Sequence, residues 1–271
     1  MELKHPWKKI DEVFLWGNKI RVNMKIKYQI LFINLFFLFN LQSQNVCQIN
    51  YVRTEFWGKI VQRLPYLSKE EKDRSILTRG RDEGFKSKYI LTFDSTQSFY
   101  TYEEESAAES NYGYSWRKED YLIYKDFANK RKLSQIEELG KTYLIDETYH
   151  RPKWKILNEI KDVAGYICMK AETTDTIKNQ KITAWFTDAL TLSTGPEEFD
   201  GLPGTILELI KNDGDVTITA TSVLLPKYPL PLKAPKMKGR KITSFKFNEL
   251  IQKHIIESIE AQRNPFWSIR Y

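Results

Sequence analysis

The stretch Thr205 to Leu225, TILELIKNDGDVTITATSVLL, alternates apolar and polar residues on both sides of Asp213-Gly214. A period of two sends successive side chains to opposite faces of a strand, and a residue pair that accepts positive φ lets the chain double back. Thr205 to Lys211 and Val216 to Leu225 are therefore predicted to form an antiparallel hairpin. The same period, rather than the 3.6 of a helix, runs through most of the chain.

Upstream, Asn50 to Gln62 alternates around Tyr51, Arg53, Glu55 and Trp57. Lys88 to Asp94 and Gln97 to Glu103 read as a strand pair joined through Asp94-Ser95-Thr96. Before that pair, 66 to 86 is a long loop or a short, weak helix, and after it 104 to 115 is an acidic, turn-rich surface loop. A run of short strands follows: Tyr121 to Phe127, Lys132 to Ile136, Lys141 to Asp146, Trp154 to Leu157, Val163 to Glu172 and Lys181 to Thr187. Val163 to Glu172 carries apolar residues on both faces, as expected for a strand covered on both sides. Aromatic residues make up 14% of the 271, which suits sheets because ring side chains pack on pleated surfaces. The expected fold is mainly β with some α: a curved antiparallel sheet or half-barrel meander over 45–225, closed by a C-terminal amphipathic helix.

Beyond residue 225 the composition changes. Residues 226–242 form a basic, Pro-rich arm without acids, expected to be extended and polyproline-like. Over 243–263, Phe247, Leu250, Ile251, Ile255 and Ile259 recur as one face of a helix. Residues 264–271, NPFWSIRY, are an aromatic tail, which either docks into its own domain or binds a partner. Lys233, Lys236, Lys238 and Arg240 in the arm, with Phe266, Trp267 and Tyr271 in the tail, are the candidate contacts to a partner or lipid. Each basic residue would contribute about 1 kcal/mol near an anionic surface, and the alternative is a solvated linker.

The N-terminus points to export. From Met24 the chain reads MKIKYQILFINLFFLFNLQSQ: two lysines, an apolar run from Ile30 to Leu41, then small and polar residues, the three-part form of a signal peptide over 24–44. As a helix that run rises only about 18 Å, short of the roughly 30 Å hydrocarbon core, so no transmembrane anchor is expected after cleavage. Residues 1–23 are polar and sit awkwardly before it, as an upstream extension would if translation starts at Met24. Gln44-Asn45-Val46 before Cys47 do not make a lipobox. The expected location is the periplasm or the outer-membrane periphery of a bacterium with two membranes. Without residues 1–44 the basic and acidic residues number 35 and 32, a balance that gives no warrant for nucleic-acid binding.

Two cysteines remain after cleavage, Cys47 and Cys168. In an oxidising compartment they either form a disulfide or stay as separate thiols, one of them a small buried side chain in a strand. With only His150 and His254 beside them, and no paired short spacing, no metal site and no cofactor are expected.

The segment GPEEFDGLPG turns twice in ten residues, with corners at Gly195-Pro196 and at Gly201 to Gly204. Leu202-Pro203-Gly204-Thr205 is a good type II turn sequence, because proline fixes φ and glycine accepts a positive one. The segment contains no nucleophile paired with a base, and its glycines lack the helix and lysine of a phosphate loop. Glu198 and Asp200 read as solvated carboxylates, so the segment is expected to be a structural double corner.

These residues resemble a known signature. Ala184-Trp185-Phe186-Thr187, Gly195-Pro196, Phe199 and Gly201-Leu202-Pro203-Gly204-Thr205-Ile206-Leu207 are similar to the GLPGLI family of secreted bacterial proteins, with Gly165-Tyr166, Cys168, Lys170-Ala171 and Trp154-Lys155 upstream. Thr205 stands where the motif has a second leucine. The resemblance implies an exported β-rich protein with no established activity and no agreed catalytic residues.

The favoured expectation is a non-enzymatic envelope protein that holds a hydrophobic ligand or an outer-membrane partner. A metal-handling accessory of an outer-membrane transporter, using Cys168 and a histidine, is the alternative. An envelope enzyme would draw on Asp188, Glu198, Asp200 and His150, provided that they share a cleft.

Overall fold

The computed structural model describes residues 46–79, 84–103, 121–148, 151–225, 232 and 235–271, within the unit Asn45–Tyr271. The upstream extension and leader, the acidic loop 104–115, the first residues of the basic arm, Lys233 and His150 lie outside the described residues.

Strand β1 (Cys47–Glu55) leads into two short helices, α1 (Trp57–Gln62) and α2 (Lys69–Arg79). An up-and-down series follows: β2 (Phe85–Phe93), β3 (Gln97–Tyr102), β4 (Tyr121–Asp126), β5 (Arg131–Glu138) and β6 (Lys141–Thr148). A second series comprises β7 (Lys155–Val163), β8 (Tyr166–Asp175), β9 (Gln180–Thr187), β10 (Thr205–Lys211) and β11 (Val216–Leu224). The chain ends with β12 (Arg240–Lys241), α3 (Ser244–Glu260) and a 3₁₀ turn at Pro265–Trp267.

Among the described residues, all twelve strands belong to one open sheet in the order β12-β6-β5-β4-β3-β2-β1-β11-β10-β9-β8-β7. β1 joins the two meanders by pairing antiparallel with β2 on one side and β11 on the other. Every pairing is antiparallel except that of β12, which adds two residues parallel to Tyr143 and Leu144 of β6. The protein is thus mainly β with a C-terminal helix, as the period of two predicts.

The sheet is strongly curved. Trp154 Nε1, just before β7, donates to the Asp200 carbonyl at 2.7 Å, and Lys125 on β4 pairs with the same residue's carboxylate at 2.9 Å. β4 and β7 are eight strand spacings apart, about 38 Å in a flat sheet, far more than two side chains on one residue can bridge. The inner face holds the core, with Ile49, Leu91, Ile123, Ile182, Phe186, Ile206, Leu209 and Ile218 nearly or fully buried. Tyrosines line its middle: Tyr89 stacks on Tyr100 at 5.0 Å, and Tyr51 and Tyr121 each meet the Tyr100 ring edge-on at 6.3 Å.

Several local expectations change. The alternation from Asn50 to Gln62 does not continue as a strand: the Phe56 N–H donates to the Asp215 carbonyl, and the chain turns into α1. The segment Val163 to Glu172 is not one strand, because Ala164 and Gly165 both take positive φ and make the tight turn between β7 and β8. Ile167 is consequently exposed on a strand next to the open edge rather than enclosed in a central one. Around Leu202-Pro203-Gly204, the Gly204 N–H closes on the Leu202 carbonyl at 2.8 Å, a three-residue turn centred on Pro203 rather than a type II turn. Gly204 has φ +136°, well away from the value of about +80° that a type II turn requires.

The C-terminal helix begins where Thr243 Oγ1 accepts from the Lys246 N–H, a side-chain cap on one of the otherwise unpaired first-turn donors. Phe247 sets its ring edge against Tyr143 of β6 at 5.5 Å, and Ile251 is buried beneath the helix. No helix among the described residues is long and apolar enough to cross a membrane.

Candidate functional site

The connection from β9 to β10, residues 188–204, carries the GPEEFDGLPG segment across the inner face as a strap. Two of its three acids, Glu197 and Asp200, are buried rather than solvated, and the third, Glu198, is 39% exposed and ion-paired. Each reaches a basic side chain from a different part of the sheet, and together they tie the strap down.

Glu197 is buried, with Lys211 Nζ at 2.9 Å, Arg270 Nε at 3.0 Å and Arg53 Nε at 3.3 Å. Its backbone takes a left-handed φ of +55°, a costly conformation for a glutamate that these ion pairs hold in place. Burial works against the charge, yet the Lys211, Arg270 and Arg53 cations keep the Glu197 carboxyl well below the usual carboxylate range. The same burial, opposed by the Glu197 charge, pushes the Lys211 ammonium down to about 8.

Glu198 turns the other way, accepting from Lys132 Nζ at 3.2 Å and Ser134 Oγ at 3.1 Å on β5. Although burial opposes it, the Lys132 charge holds this carboxyl low as well. Asp200 pairs with Lys125 on β4, and both side chains are buried. Lys125 also donates to the Phe199 carbonyl at 3.4 Å, and the Phe199 ring meets Trp154 edge-on. Leu202 is buried and Pro203 exposed, while Gly195 and Gly204 pass so close to Ile206 and to the Thr187 carbonyl that no Cβ fits at either position. Gly195, Pro196, Phe199, Gly201, Leu202, Pro203 and Gly204 thus lie at the corners and anchor points of the strap.

Of the catalytic candidates, Glu198 and Asp200 are committed to lysines, and Asp188 is exposed just past β9. The described residues do not gather them into a shared cleft with a nucleophile. Cys47 and Cys168 are separate buried thiols, each pushed up to about 11 by burial and so protonated near neutrality. His254 sits on α3 with Nε2 3.1 Å from the Pro265 carbonyl oxygen, and among the described residues no group of three His, Cys, Asp or Glu side chains is arranged to hold a metal ion.

The tail docks into its own domain, one of the two alternatives open to it. Tyr271 is buried and Phe266 packs on the core, their rings meeting edge-on at 4.6 Å, so neither offers a surface to a partner. Trp267 alone among the three aromatic candidates is exposed, at 57%. In the arm, Lys236, Lys238 and Arg240 are exposed, but the chain here is fastened to the sheet: the Lys238 N–H donates to Gln135 Oε1 at 2.8 Å, and Arg240 enters β12.

A surface that sequence reasoning missed lies at the open edge. Ile156 and Ile160 on β7 and Ile167 on β8 are 51%, 69% and 64% exposed. The pairings Ile160↔Met169 and Asp162↔Ile167 put Ile160 and Ile167 on the same face as Met169, whose neighbour on β9 is the fully buried Phe186. The apolar inner face thus runs out from under its cover at β7 and β8. The signal was present in KILNEIKDVAGYI, whose isoleucines stand apart from the central alternation, but a strand read as central hides them.

The chain is similar in fold to two solved structures of PNGF-II, in the P21 and C2 space groups, with TM-scores of 0.50 and 0.49 and 14% identity to each. Both alignments cover 77% of this chain but only 34% and 33% of the other, so the chain spans about a third of the length of the structures it matches. No protein of curated function matches it. Residues 87–240, from β2 through the meanders to β12, match the family model described as N-glycanase peptide, N-terminal domain. The match takes in more than half of the sequence, and the chain belongs to that family of N-glycanase N-terminal domains.

Proposed function

We propose that this chain is a non-enzymatic, exported module that docks through its β7–β8 face onto a protein carrying N-glycanase activity, in the same polypeptide or a separate one. The observation that carries this reading is the patch of Ile156, Ile160 and Ile167, an apolar continuation of the core left uncovered at a sheet edge. Contiguous exposed apolar surface on a folded domain marks an interaction site more often than chance. The family membership supplies the occupant, because a domain described as N-terminal to an N-glycanase has further protein to pack against. The matched PNGF-II chains are about three times as long as the aligned part, which supports the same choice.

A hydrophobic small ligand has less in its favour. Tyrosine rings, the strap and the tail fill the middle of the inner face, and the acids and bases there are engaged with one another. The leader-like segment before residue 45 and the resemblance to secreted GLPGLI proteins support export.

The test places a photo-crosslinking amino acid at Ile160, and at exposed Arg131 as a control, in the organism that makes the protein. Capture at position 160 alone of a protein that releases N-glycans, lost in an Ile167→Asp background, is the expected result. Equal capture at both positions, or capture of lipid alone, overturns the reading.

A further inference from the structure

Residues 269–271 are held like a peptide in a receptor. Ile269 is buried. The Arg270 N–H donates to Glu138 Oε2 at 2.8 Å, and its carbonyl accepts from Lys178 Nζ. The guanidinium lies between two tyrosines, 4.1 Å from the Tyr121 ring centre and 5.0 Å from that of Tyr89, while Nη1 donates to the Tyr89 hydroxyl at 2.8 Å and Nε to Glu197 at 3.0 Å. Next, the Tyr271 main-chain oxygen accepts from Lys211 Nζ at 2.7 Å and Arg53 Nη2 at 3.2 Å. The Tyr271 hydroxyl donates to Asp215 and accepts from Asn212 Nδ2 at 2.6 Å.

These groups come from β1, β2, β4, β5 and β10, which are paired with their own neighbours in the sheet, from the two turns β8–β9 and β10–β11, and, for Glu197, from the strap between β9 and β10. The tail adds no strand to the ladder. Side chains read its main-chain groups, an aromatic cage with a carboxylate takes one cation, and a polar pair at the end takes one phenol. Cation recognition over tyrosine faces strengthens as the site dries, and this one is buried. The residues that lead into the tail, Ala261, Gln262 and Arg263, are exposed.

We infer that the inner face is a recognition site for an extended peptide carrying aliphatic-Arg-Tyr, occupied in this structure by residues 269–271 of the chain itself. This site is separate from the β7–β8 patch. A tether of a few residues presents the tail at an effective concentration in the millimolar range, so a competing peptide enters readily only once the tether is cut.

The experiment inserts a specific protease site between Gln262 and Arg263 of the full chain and cuts the folded protein. The cut protein is expected to keep its circular dichroism and its tail, then to exchange the tail for a labelled free peptide NPFWSIRY. The same peptide with alanine for the arginine is expected to compete at least tenfold less well. Unfolding on release of the tail, failure of the labelled peptide to exchange, or equal competition by the alanine peptide overturns the inference.

Discussion

Lys125 on β4 and Asp200 in the strap form an ion pair of 2.9 Å with each side chain 2% exposed. Among the described residues, no other contact made by the strap joins two buried ionic groups one to one. Asp200 Oδ1 has no hydrogen-bond partner among the described residues, so the pair does not recover all that its desolvation costs.

Lys125→Met is therefore expected to lose about 3–5 kcal/mol, because it strands a buried carboxylate. The double variant Lys125→Met/Asp200→Leu is expected to regain most of that loss, since a well-packed apolar pair of similar volume avoids desolvation altogether. Urea unfolding of both variants and of Asp200→Leu measures the coupling. A double variant no more stable than Lys125→Met would show that the pair does more than fill space.

Gly204 has φ +136°, and a Cβ there would strike the backbone carbonyl of Thr187, which cannot swing aside as a side chain tip can. Gly204→Ala is expected to cost at least about 3 kcal/mol, strain and overlap together. Gly165, at φ +84° in the β7–β8 turn, has open space where its Cβ would be. Gly165→Asn is expected to cost under about 1 kcal/mol, because asparagine tolerates the left-handed region. Thermal denaturation of the two variants compares a packed glycine with a merely turned one.

The contrast bears on what the sequence discloses. The hairpins were legible because period two and turn residues are local, and Thr205 to Leu225 folds much as its alternation predicts. Ala164 was not legible as a turn residue, since nothing in an alanine announces a φ of +54°. The strap's role was half legible: its corners follow from glycine and proline, but its acids have partners far along the chain, Glu197 with Arg53 and Arg270, Asp200 with Lys125. One signal was available. Arg53, Lys125 and Lys211 stand at inward positions of otherwise apolar strands, where a charge requires a buried partner.

Acid should weaken the fold through this same strap. Glu197 and Glu198 titrate below the usual 4.5 in the folded chain, so as pH falls protons bind the unfolded state first. The stability they contribute is whole above about pH 4.5 and is lost progressively as pH drops toward their folded values. Urea midpoints between pH 7 and pH 3 are expected to fall on this limb. Glu197→Gln, already destabilised at neutral pH because three cations lose their carboxylate, should show a flatter limb.

Alkali should act through the tyrosines. Burial, first of all causes, holds the phenols of Tyr51, Tyr100 and Tyr121 well above their usual value of 10. A raised folded value for an acid favours the neutral form, so the stability is present below about pH 10 and lost as pH rises beyond it. Phenolate absorbance is expected to show the less buried tyrosines titrating first and a delayed, cooperative step coincident with loss of structure. A single smooth titration with the fold intact would mean that water reaches the cluster.

Ile160 allows fold and docking to be separated. Its side chain is 69% exposed and opposes Met169 of β8, and β7 has no strand on its other side among the described residues. Surface substitutions away from buried contacts change stability by no more than about 0.5 kcal/mol, so Ile160→Asp is expected to leave the melting curve of the isolated module within that limit. A charge at the centre of an apolar interface is expected to weaken docking at least tenfold, since it must shed its water without a partner. Loss of docking with the melting curve unchanged assigns the patch to recognition. A large drop in stability would instead place Ile160 in the core of the fold, and docking would have to be sought on another face.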